Sequence, residues 1–378
     1  MNKKLIIITA FLLMGLSESV QAGGMIHNSN LSPEYARTLT RNAALDAIDI
    51  ANYNPAGLVF MNEGNYISLG NQFIAKKYSH STDTATFGDE RSVLIFPSLF
   101  AVKNMGKFAV FGSFTVPAGG GYLEYKDGVA IAPGVNAEGF TAHYAITAGG
   151  AYKVSDMISV AIGLRGMYAH KTTKLGPIGD GSYLLDYESN AQGFTGIISV
   201  NVHPMDWLNI ALRYEIQTVL EFENEGNYGT DADTYREDLP AVLGFGVSAS
   251  LLRKITLELN VNYYFNKNAD WEGLEKDVDN GFETAMSASY KISDMFTVSA
   301  GILYTNAGAD KNTYDFLKPP LDAFTMGAGL KITPIKELSI NAAVLKSIYF
   351  EDDGYAGALE VTLNKDITLF TIGAQYKF

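Results

Sequence analysis

Four cationic side chains are the residues of this chain best suited to bind an anionic group. Arg165 and Arg213 lie in segments that alternate between apolar and polar residues, and Lys171 and Lys174 follow the first of these segments. Guanidinium and ammonium groups form charge-assisted hydrogen bonds with carboxylates, so these four residues could contact the acidic end of a ligand. Each could equally pair with a carboxylate of the protein itself, such as Glu215 or an acid of the N-terminal region. The sequence leaves both interpretations open.

The chain carries no recognisable catalytic or metal-binding motif. It lacks a G-x-S-x-G nucleophile sequence, an H-E-x-x-H zinc sequence and a phosphate-binding loop. It contains no cysteine, which excludes thiol chemistry, disulfides and cysteine-bound zinc. No paired spacing relates its five histidines, which are His27, His80, His143, His170 and His203. We therefore predict no enzymatic activity, no cofactor and no metal site.

The elements that carry the cations are predicted from a regular alternation of apolar and polar residues. Between Trp207 and Phe222, the even positions are nearly all apolar, whereas the odd positions include Arg213 and Glu215. A period of two residues is typical of a β-strand with two chemically different faces. Because one face carries no charge over about eight positions, the strand fits a transmembrane β-barrel better than a soluble sheet. A slip of one residue would place Arg213 in lipid, at a cost of roughly 2–4 kcal/mol near the midplane.

The same alternation recurs along the chain and predicts fourteen strands, joined in turn by short and long connections. This layout is that of an all-β, antiparallel outer-membrane barrel, which has no unpaired edges once it closes. A water-soluble β-sandwich would also alternate, but it rarely combines so many long strands with aromatic residues at their ends. The predicted strands are 65–78, 92–103, 106–118, 139–153, 157–170, 190–202, 207–222, 238–251, 254–266, 281–292, 295–305, 321–333, 337–350 and 366–378.

Both ends of the chain carry features of an exported barrel. Residues 1–22 are expected to form a secretory signal peptide, with Lys3 and Lys4 before an apolar stretch and small residues before the expected cleavage after Ala22. After that point no run of eighteen apolar residues suggests a membrane-spanning helix. The final strand ends on Phe378, an aromatic terminus that resembles the signal recognised by the barrel-assembly machinery.

Residues 23–62 do not alternate and are predicted to form a separate unit before the barrel of residues 63–378. Ser32 followed by Pro33 and Glu34 predicts a short helix through about Thr40, and 42–50 could form a second helix. The motif Asn54-Pro55-Ala56-Gly57 then breaks regular structure. This region is rich in apolar residues that need burial, and a fourteen-stranded barrel is too wide for its own side chains to fill. We therefore predict an N-terminal plug inside the barrel.

A plug that ends in Asn54-Pro55-Ala56-Gly57 before fourteen strands resembles the FadL/TodX family of outer-membrane transporters for hydrophobic compounds. The resemblance covers essentially the whole mature chain. Its other elements are Phe96-Pro97-Ser98, the segment 112–121, Arg213-Tyr214 with 222–226, Leu239-Pro240 and the terminal strand.

The resemblance implies passive uptake of hydrophobic or amphipathic small molecules, such as long-chain fatty acid-like or aromatic compounds. It further implies a kinked third strand through which the ligand leaves sideways into the membrane after the plug rearranges. The matching residues here are Val116, Pro117, Ala118, Gly119, Gly120 and Gly121. Proline removes a donor from the strand ladder and glycines weaken strand pairing, so a local break is expected from the residues themselves. The start of an ordinary extracellular loop is the alternative interpretation.

The net charge of −13 argues against nucleic acid as a partner. The acidic residues concentrate in predicted extracellular loops, where they are solvated or bridge to lipopolysaccharide through divalent cations. The expected partners are thus a hydrophobic ligand, outer-membrane lipid with lipopolysaccharide, and the assembly machinery, and the apolar outer faces favour a monomer. The sequence leaves two other functions open. One is a surface-interaction or adhesin-type barrel with acidic loops, and the other is a simple diffusion porin.

Overall fold

The computed structural model describes residues 25–378 except 180, 228–233, 253, 313–318 and 357–358, so the predicted signal peptide lies outside the described residues. The chain forms a closed antiparallel barrel of 14 strands, as the sequence predicted. In chain order the strands are β1 (Gly64–Ser81), β2 (Thr86–Asn104), β3 (Phe108–Tyr125), β4 (Ala137–Lys153), β5 (Ile158–Leu175), β6 (Leu185–Met205), β7 (Leu208–Glu215, continued by Glu221–Asn227), β8 (Thr234–Arg236, continued by Val242–Leu251), β9 (Ile255–Tyr264), β10 (Gly281–Lys291), β11 (Phe296–Asn306), β12 (Ala323–Ile335), β13 (Leu338–Tyr349) and β14 (Leu359–Lys377).

Shorter elements lie in the N-terminal region and in the long loops. The helix α1 spans Pro33–Thr38, and single 3₁₀ turns span Ile48–Ala51, Pro55–Phe60, Asn266–Asn268 and Leu274–Lys276. Short strands Gly128–Val129 and Ala132–Pro133 form a hairpin between β3 and β4, and Asp352–Ala356 pairs with β14. None of the helices in the described residues is long and apolar enough to span a membrane.

Pairing of the first strand with the last closes the barrel. β1 and β14 pair from Tyr66 opposite Lys377 to Ser81 opposite Thr362. Side chains alternate as predicted, so that Leu69 of β1 is exposed on the outside whereas Ser68 is buried inside. The exposed outer face is apolar on successive strands, which is the arrangement of an outer-membrane β-barrel.

The strand predicted over 207–222 was wrong at its upper end. β7 is interrupted after Glu215, and Thr218 makes an isolated bridge with Leu239 before the strand resumes at Glu221. Beyond the interruption the inward positions become even, so Leu220 and Phe222 are fully buried inside the barrel rather than exposed to lipid. They join an internal apolar cluster. Burial in this cluster stabilises the inward orientation of the two side chains, in place of the predicted orientation toward lipid.

Several strands also extend further at the long-loop end than predicted, and in β14 the added apolar residues Val361 and Leu363 face the interior rather than lipid. β2 begins at Thr86, β6 at Leu185 and β14 at Leu359.

Residues 25–62, hereafter the N-terminal segment, lie inside the barrel, and all but 45–46 and 60–62 are buried. The predicted first helix is present as α1, where Ser32 Oγ accepts a hydrogen bond from the backbone N–H of Tyr35 at 3.0 Å. The second predicted helix, over 42–50, was wrong, since only the 3₁₀ turn Ile48–Ala51 forms there. Side-chain contacts with the barrel wall hold this part of the chain in a mostly irregular path.

Candidate functional site

The N-terminal segment is fastened to the inner wall by polar contacts on several strands. Glu34 Oε1 accepts a hydrogen bond from Asn341 of β13 at 2.9 Å, and Thr40 donates to Glu258 of β9 at 2.6 Å. The backbone N–H of Ile48 donates to Gln375 of β14 at 2.8 Å. Burial, followed by the nearby Asp49 charge, raises the pKa of the Glu34 carboxyl to about 7. The wall therefore holds the middle of the segment at many points.

The motif Asn54-Pro55-Ala56-Gly57 starts a 3₁₀ turn rather than breaking regular structure. Asn54 Oδ1 accepts from the backbone N–H of Gly57 at 3.2 Å, and Asn54 Nδ2 donates to Asn201 of β6 at 2.8 Å. A Cβ on Gly57 would lie 2.6 Å from Asn54 Nδ2, so the turn needs glycine at this position. Because Ser159 of β5 also donates to the Ala56 carbonyl at 2.6 Å, the motif ties the end of the segment to β5 and β6.

The pairing of β3 is irregular over the residues singled out in the sequence. Its register with β4 shifts between Thr115 and Ala118 and again between Ala118 and Gly121. Gly119 and Gly121 adopt φ angles of +94° and +68°, which residues with a side chain rarely adopt. The two shifts leave Val116, Pro117, Gly119 and Gly120 outside the ladder with β4.

On its other side, β3 separates from β2. The ladder between these strands runs from Asn104 opposite Ala109 to Leu99 opposite Phe114 and ends there, although both strands continue toward the long loops. Residues 86–98 of β2 and 115–125 of β3 are not joined by ladder hydrogen bonds, and we call the interval between them the seam. It is an interruption in the backbone hydrogen bonding of an otherwise closed wall.

The start of the N-terminal segment lies against the seam from inside. His27 forms a bridge with Ala118, and the backbone N–H of Asn28 donates to the Pro117 carbonyl at 2.7 Å. Asn28 Nδ2 also donates to the Gly119 carbonyl at 3.0 Å. Backbone carbonyls that leave the strand ladder are thus satisfied by the segment. Within the segment, the residues that contact this break are His27 and Asn28, whereas the Asn54–Gly57 motif contacts β5 and β6.

Side chains also make contact across the seam. A Cβ on Gly121 would lie 2.8 Å from Val93 Cγ2, so β2 and β3 touch at this level. The Arg91 guanidinium lies 5.0 Å from the centre of the Tyr122 ring and pairs with Glu124. Leu94 and Ile95 on the adjoining part of β2 are 66% and 77% exposed. The seam is therefore closed by side chains, and its outer lip is apolar.

Each of the four cations predicted as ligand contacts has a carboxylate partner. Arg165 pairs with Glu215, whose Oε2 lies 3.3 Å from Arg213 Nη1. These three side chains are buried in one place inside the barrel. Two further pairs lie closer to the long loops, and they are Lys171 with Glu237 and the half-exposed Lys174 with Asp186.

Two apolar clusters fill the interior between the N-terminal segment and the long loops. In the first, Met25 and Ile26 are buried with Phe222 and Trp271. In the second, Leu31 and Tyr35 are buried with Val129 of the hairpin between β3 and β4. The loops thus fold inward, a feature that was not predicted from the sequence. The available signal was the presence of Val129, Ile131, Trp271 and Val278 in the long connections between the predicted strands.

The opposite mouth, where the short turns lie, is polar. A cavity of about 600 Å³ opens there beneath the segment, and charged side chains such as Arg37, Arg41 and Asp46 line it. Asp46 pairs with Arg41 at 2.7 Å and with Arg37 at 2.9 Å. No group of three or more His, Asp or Glu side chains that could hold a metal ion occurs in the part of the chain that the structure describes.

Comparison with known proteins shows the fold by structure rather than by sequence. No protein-family model matches the chain, and no curated protein matches it. A crystal structure of a Pseudomonas aeruginosa FadL homologue superposes with a TM-score of 0.74 and 15% sequence identity, covering 94% of this chain and 100% of that chain. This chain has the FadL fold. The sequence-based resemblance is therefore confirmed at the level of the fold.

Other structures with the FadL fold match similarly. The P. putida toluene transporter TodX has a TM-score of 0.71 at 13% identity and covers 95% of this chain and 99% of its own. The Ralstonia pickettii toluene transporter TbuX has a TM-score of 0.69 at 16% identity, with 92% and 98% covered.

Proposed function

We propose that this protein is a FadL/TodX-type channel that takes up hydrophobic or amphipathic small molecules passively and has no enzymatic activity. The observation that carries the proposal is the end of the β2–β3 ladder at Leu99 and Phe114 while both strands continue. An opening within the wall gives an apolar compound a way into the membrane that avoids the periplasm. Long-chain fatty acid-like and aromatic compounds are the substrate classes we infer.

The proposed path follows the polarity of the interior. A ligand binds among the inward-folded long loops and passes the apolar clusters around Phe222 and Val129. It then reaches the seam beside His27 and leaves between β2 and β3. Straight passage to the periplasm is disfavoured, because an apolar compound gains nothing in the charged cavity around Asp46, whose ion pairs it would have to disrupt.

In this proposal residues 1–22 are the signal peptide, 23–62 the plug and 63–378 the barrel. The plug rearrangement needs only its first residues to move. His27 and Asn28 hold β3 through three backbone carbonyls and one bridge, whereas the remainder of the plug is tied to many strands. Detachment near residue 28 would expose the seam from inside and leave the rest of the plug in place.

The inferred partners follow from the same surfaces. Arg165 and Arg213 are the candidates for contact with a polar end of the ligand inside the barrel, and Lys171 and Lys174 would be met earlier, near the loops. The apolar outer face contacts membrane lipid, with lipopolysaccharide around the acidic loops, and predicts a monomer. The strand that ends at Phe378 is the inferred contact for the assembly machinery.

A reversible cross-link across the seam tests lateral release. The chain has no native cysteine, so Val93→Cys with Gly121→Cys creates a single possible disulfide. A Cβ at position 121 would lie 3.8 Å from Val93 Cβ, the usual spacing in disulfides. In cells that lack other hydrophobic-compound channels, we expect the oxidised variant to lose uptake of radiolabelled oleate or toluene. Reduction should restore uptake.

The two single-cysteine variants are the controls, since neither can form the cross-link and Gly121→Cys carries the same strain at position 121. Both should transport under oxidising conditions. Uptake by a fully cross-linked double variant at the wild-type rate would refute release through the seam. Ion conductance of porin size across a planar bilayer would instead favour the diffusion porin.

A further inference from the structure

A small internal cavity lies where the start of the N-terminal segment meets β5 and β7. Its volume is about 30 Å³, enough for one water molecule or an ion of similar size. The side chains that decide its chemistry are His27 from the segment, Arg165 from β5, and Arg213 and Glu215 from β7. All four residues are buried, and none is more than 8% exposed.

The charges around this cavity are unbalanced. Among the described residues, Glu215 is the one carboxylate that pairs with Arg165 or Arg213, so two guanidinium groups share a single negative charge. Burial is the main cause that lowers the pKa of His27 to about 4, and the ring is therefore neutral near pH 7. An uncompensated buried charge is strongly unfavourable, so the excess positive charge favours an additional anion.

A further carboxylate nearby is already engaged. Glu283 Oε2 accepts hydrogen bonds from Tyr264 at 2.7 Å, from Ser29 at 2.8 Å and from Asn262 at 3.0 Å. These donors are neutral, and they saturate the oxygen without involving either arginine. Glu283 therefore keeps its own charge, but it forms no ion pair with either guanidinium group, and Glu215 is the carboxylate in direct contact with both.

Hydrogen-bond donors without partners also remain on the residues that line the cavity. Nη2 of Arg165 and Nε of Arg213 are buried and have no hydrogen-bond partner among the described residues. The other two nitrogens of Arg165 each have a partner, since Nε donates to Thr147 at 3.0 Å and Nη1 to Glu215. A water molecule would accept from these groups but would leave the charge unchanged. An anion accepts from them and neutralises the charge.

We propose that this cavity binds a monovalent anion of halide size between Arg165 and Arg213. The bound anion lies against His27, the residue that bridges to Ala118 at the seam, and so stabilises the attached position of the segment. A carboxylate offers the same chemistry, but the volume accommodates little more than its charged end. The halide assignment does not depend on the proposed transport activity.

Thermal unfolding of the purified full-length protein in detergent tests the proposal. At constant ionic strength, replacing gluconate by chloride or bromide should raise the unfolding midpoint saturably, by roughly 2–4 °C. Arg165→Gln leaves one guanidinium for Glu215 and should abolish this dependence. Lys267→Gln removes the same charge from an exposed pair with Asp279 and should preserve it.

Crystals of the wild-type protein grown with bromide provide a test that does not depend on a variant folding. An anomalous peak between Arg165 and Arg213 is expected. A peak without anomalous signal, together with no halide dependence of unfolding, would identify water and overturn the proposal. Stabilisation by decanoate but not by bromide would assign the site to a ligand carboxylate and would likewise overturn the halide assignment.

Discussion

Val93 of β2 and Gly121 of β3 touch across a part of the barrel wall that has no ladder hydrogen bonds. A Cβ on Gly121 would lie 2.8 Å from Val93 Cγ2, and the ladder between the two strands ends further down, at Leu99 and Phe114. Contact between side chains is easier to break than a run of backbone hydrogen bonds, because each ladder bond would leave two polar groups unsatisfied in lipid. The seam is therefore easier to open than a stretch of wall whose strands are joined by ladder hydrogen bonds.

Removing the arginine that crosses the seam should speed uptake. Partly exposed ion pairs contribute about 0.2–1 kcal/mol, so Arg91→Ala should raise the opening equilibrium by up to about fivefold. The initial rate of labelled oleate uptake measures this effect. Lys103→Ala is the matched control, because it removes a cation from β2 where the ladder to β3 is intact. Equal rates for both variants would contradict a role of Arg91 in closing the seam.

Adding a methyl group at Gly57 should loosen the end of the plug. The new Cβ would lie 2.6 Å from Asn54 Nδ2 and 2.8 Å from Leu45 Cδ2, an overpacking that costs about 1–3 kcal/mol. We expect Gly57→Ala to lower the thermal unfolding midpoint and to increase protease cleavage in the N-terminal segment. Gly179→Ala, where a Cβ would meet no atom within 4 Å, should behave like the wild type. Equal cleavage of the two variants would show that the turn tolerates the added methyl group.

Acidification should weaken attachment of the segment at the seam. The pKa of His27 is lowered from 6.5 to about 4, mainly by burial, while Glu215 raises it and Arg165 and Arg213 lower it further. The detached state binds the proton more readily, so attachment is fully stable above pH 6.5 and weakens as the pH falls toward 4. Protease cleavage after residue 25, followed between pH 7.5 and 4, measures this loss. His27→Gln should show a flatter profile, and an unchanged profile would exclude His27 as the titrating group.

Removing the carboxylate that Arg165 and Arg213 share should lower thermal stability more than removing this carboxylate together with one of the arginines. Glu215→Gln leaves Arg165 and Arg213 buried without an ion-pair partner, which costs about 3–5 kcal/mol. The double variant Glu215→Gln with Arg165→Gln should regain part of the thermal stability. A double variant that is as unstable as the sum of the single variants would show that the pair is not coupled.

The architecture was predictable because the alternation is a local property of the chain. Placing Arg213 in lipid would be unfavourable, so the alternation within the strand shows which of its faces meets lipid. Counting the segments that alternate then gives the number of strands. The helix α1 was predictable for the same reason, since Ser32 and Pro33 act within one turn. The error at 216–222 arose where burial against Met25 and Trp271 replaced lipid as the reason for an apolar residue.

The sequence by itself determined that this chain forms a closed membrane barrel, with a region before it that needs burial and a break near Pro117. Only the tertiary structure decided that β2 and β3 part above Leu99, that His27 and Asn28 rather than Asn54 contact the break, and that Arg165 and Arg213 share Glu215. These relationships join residues far apart in the chain, such as Asn28 and Gly119. Their partners are chosen by packing within the barrel, which no local period of the sequence encodes.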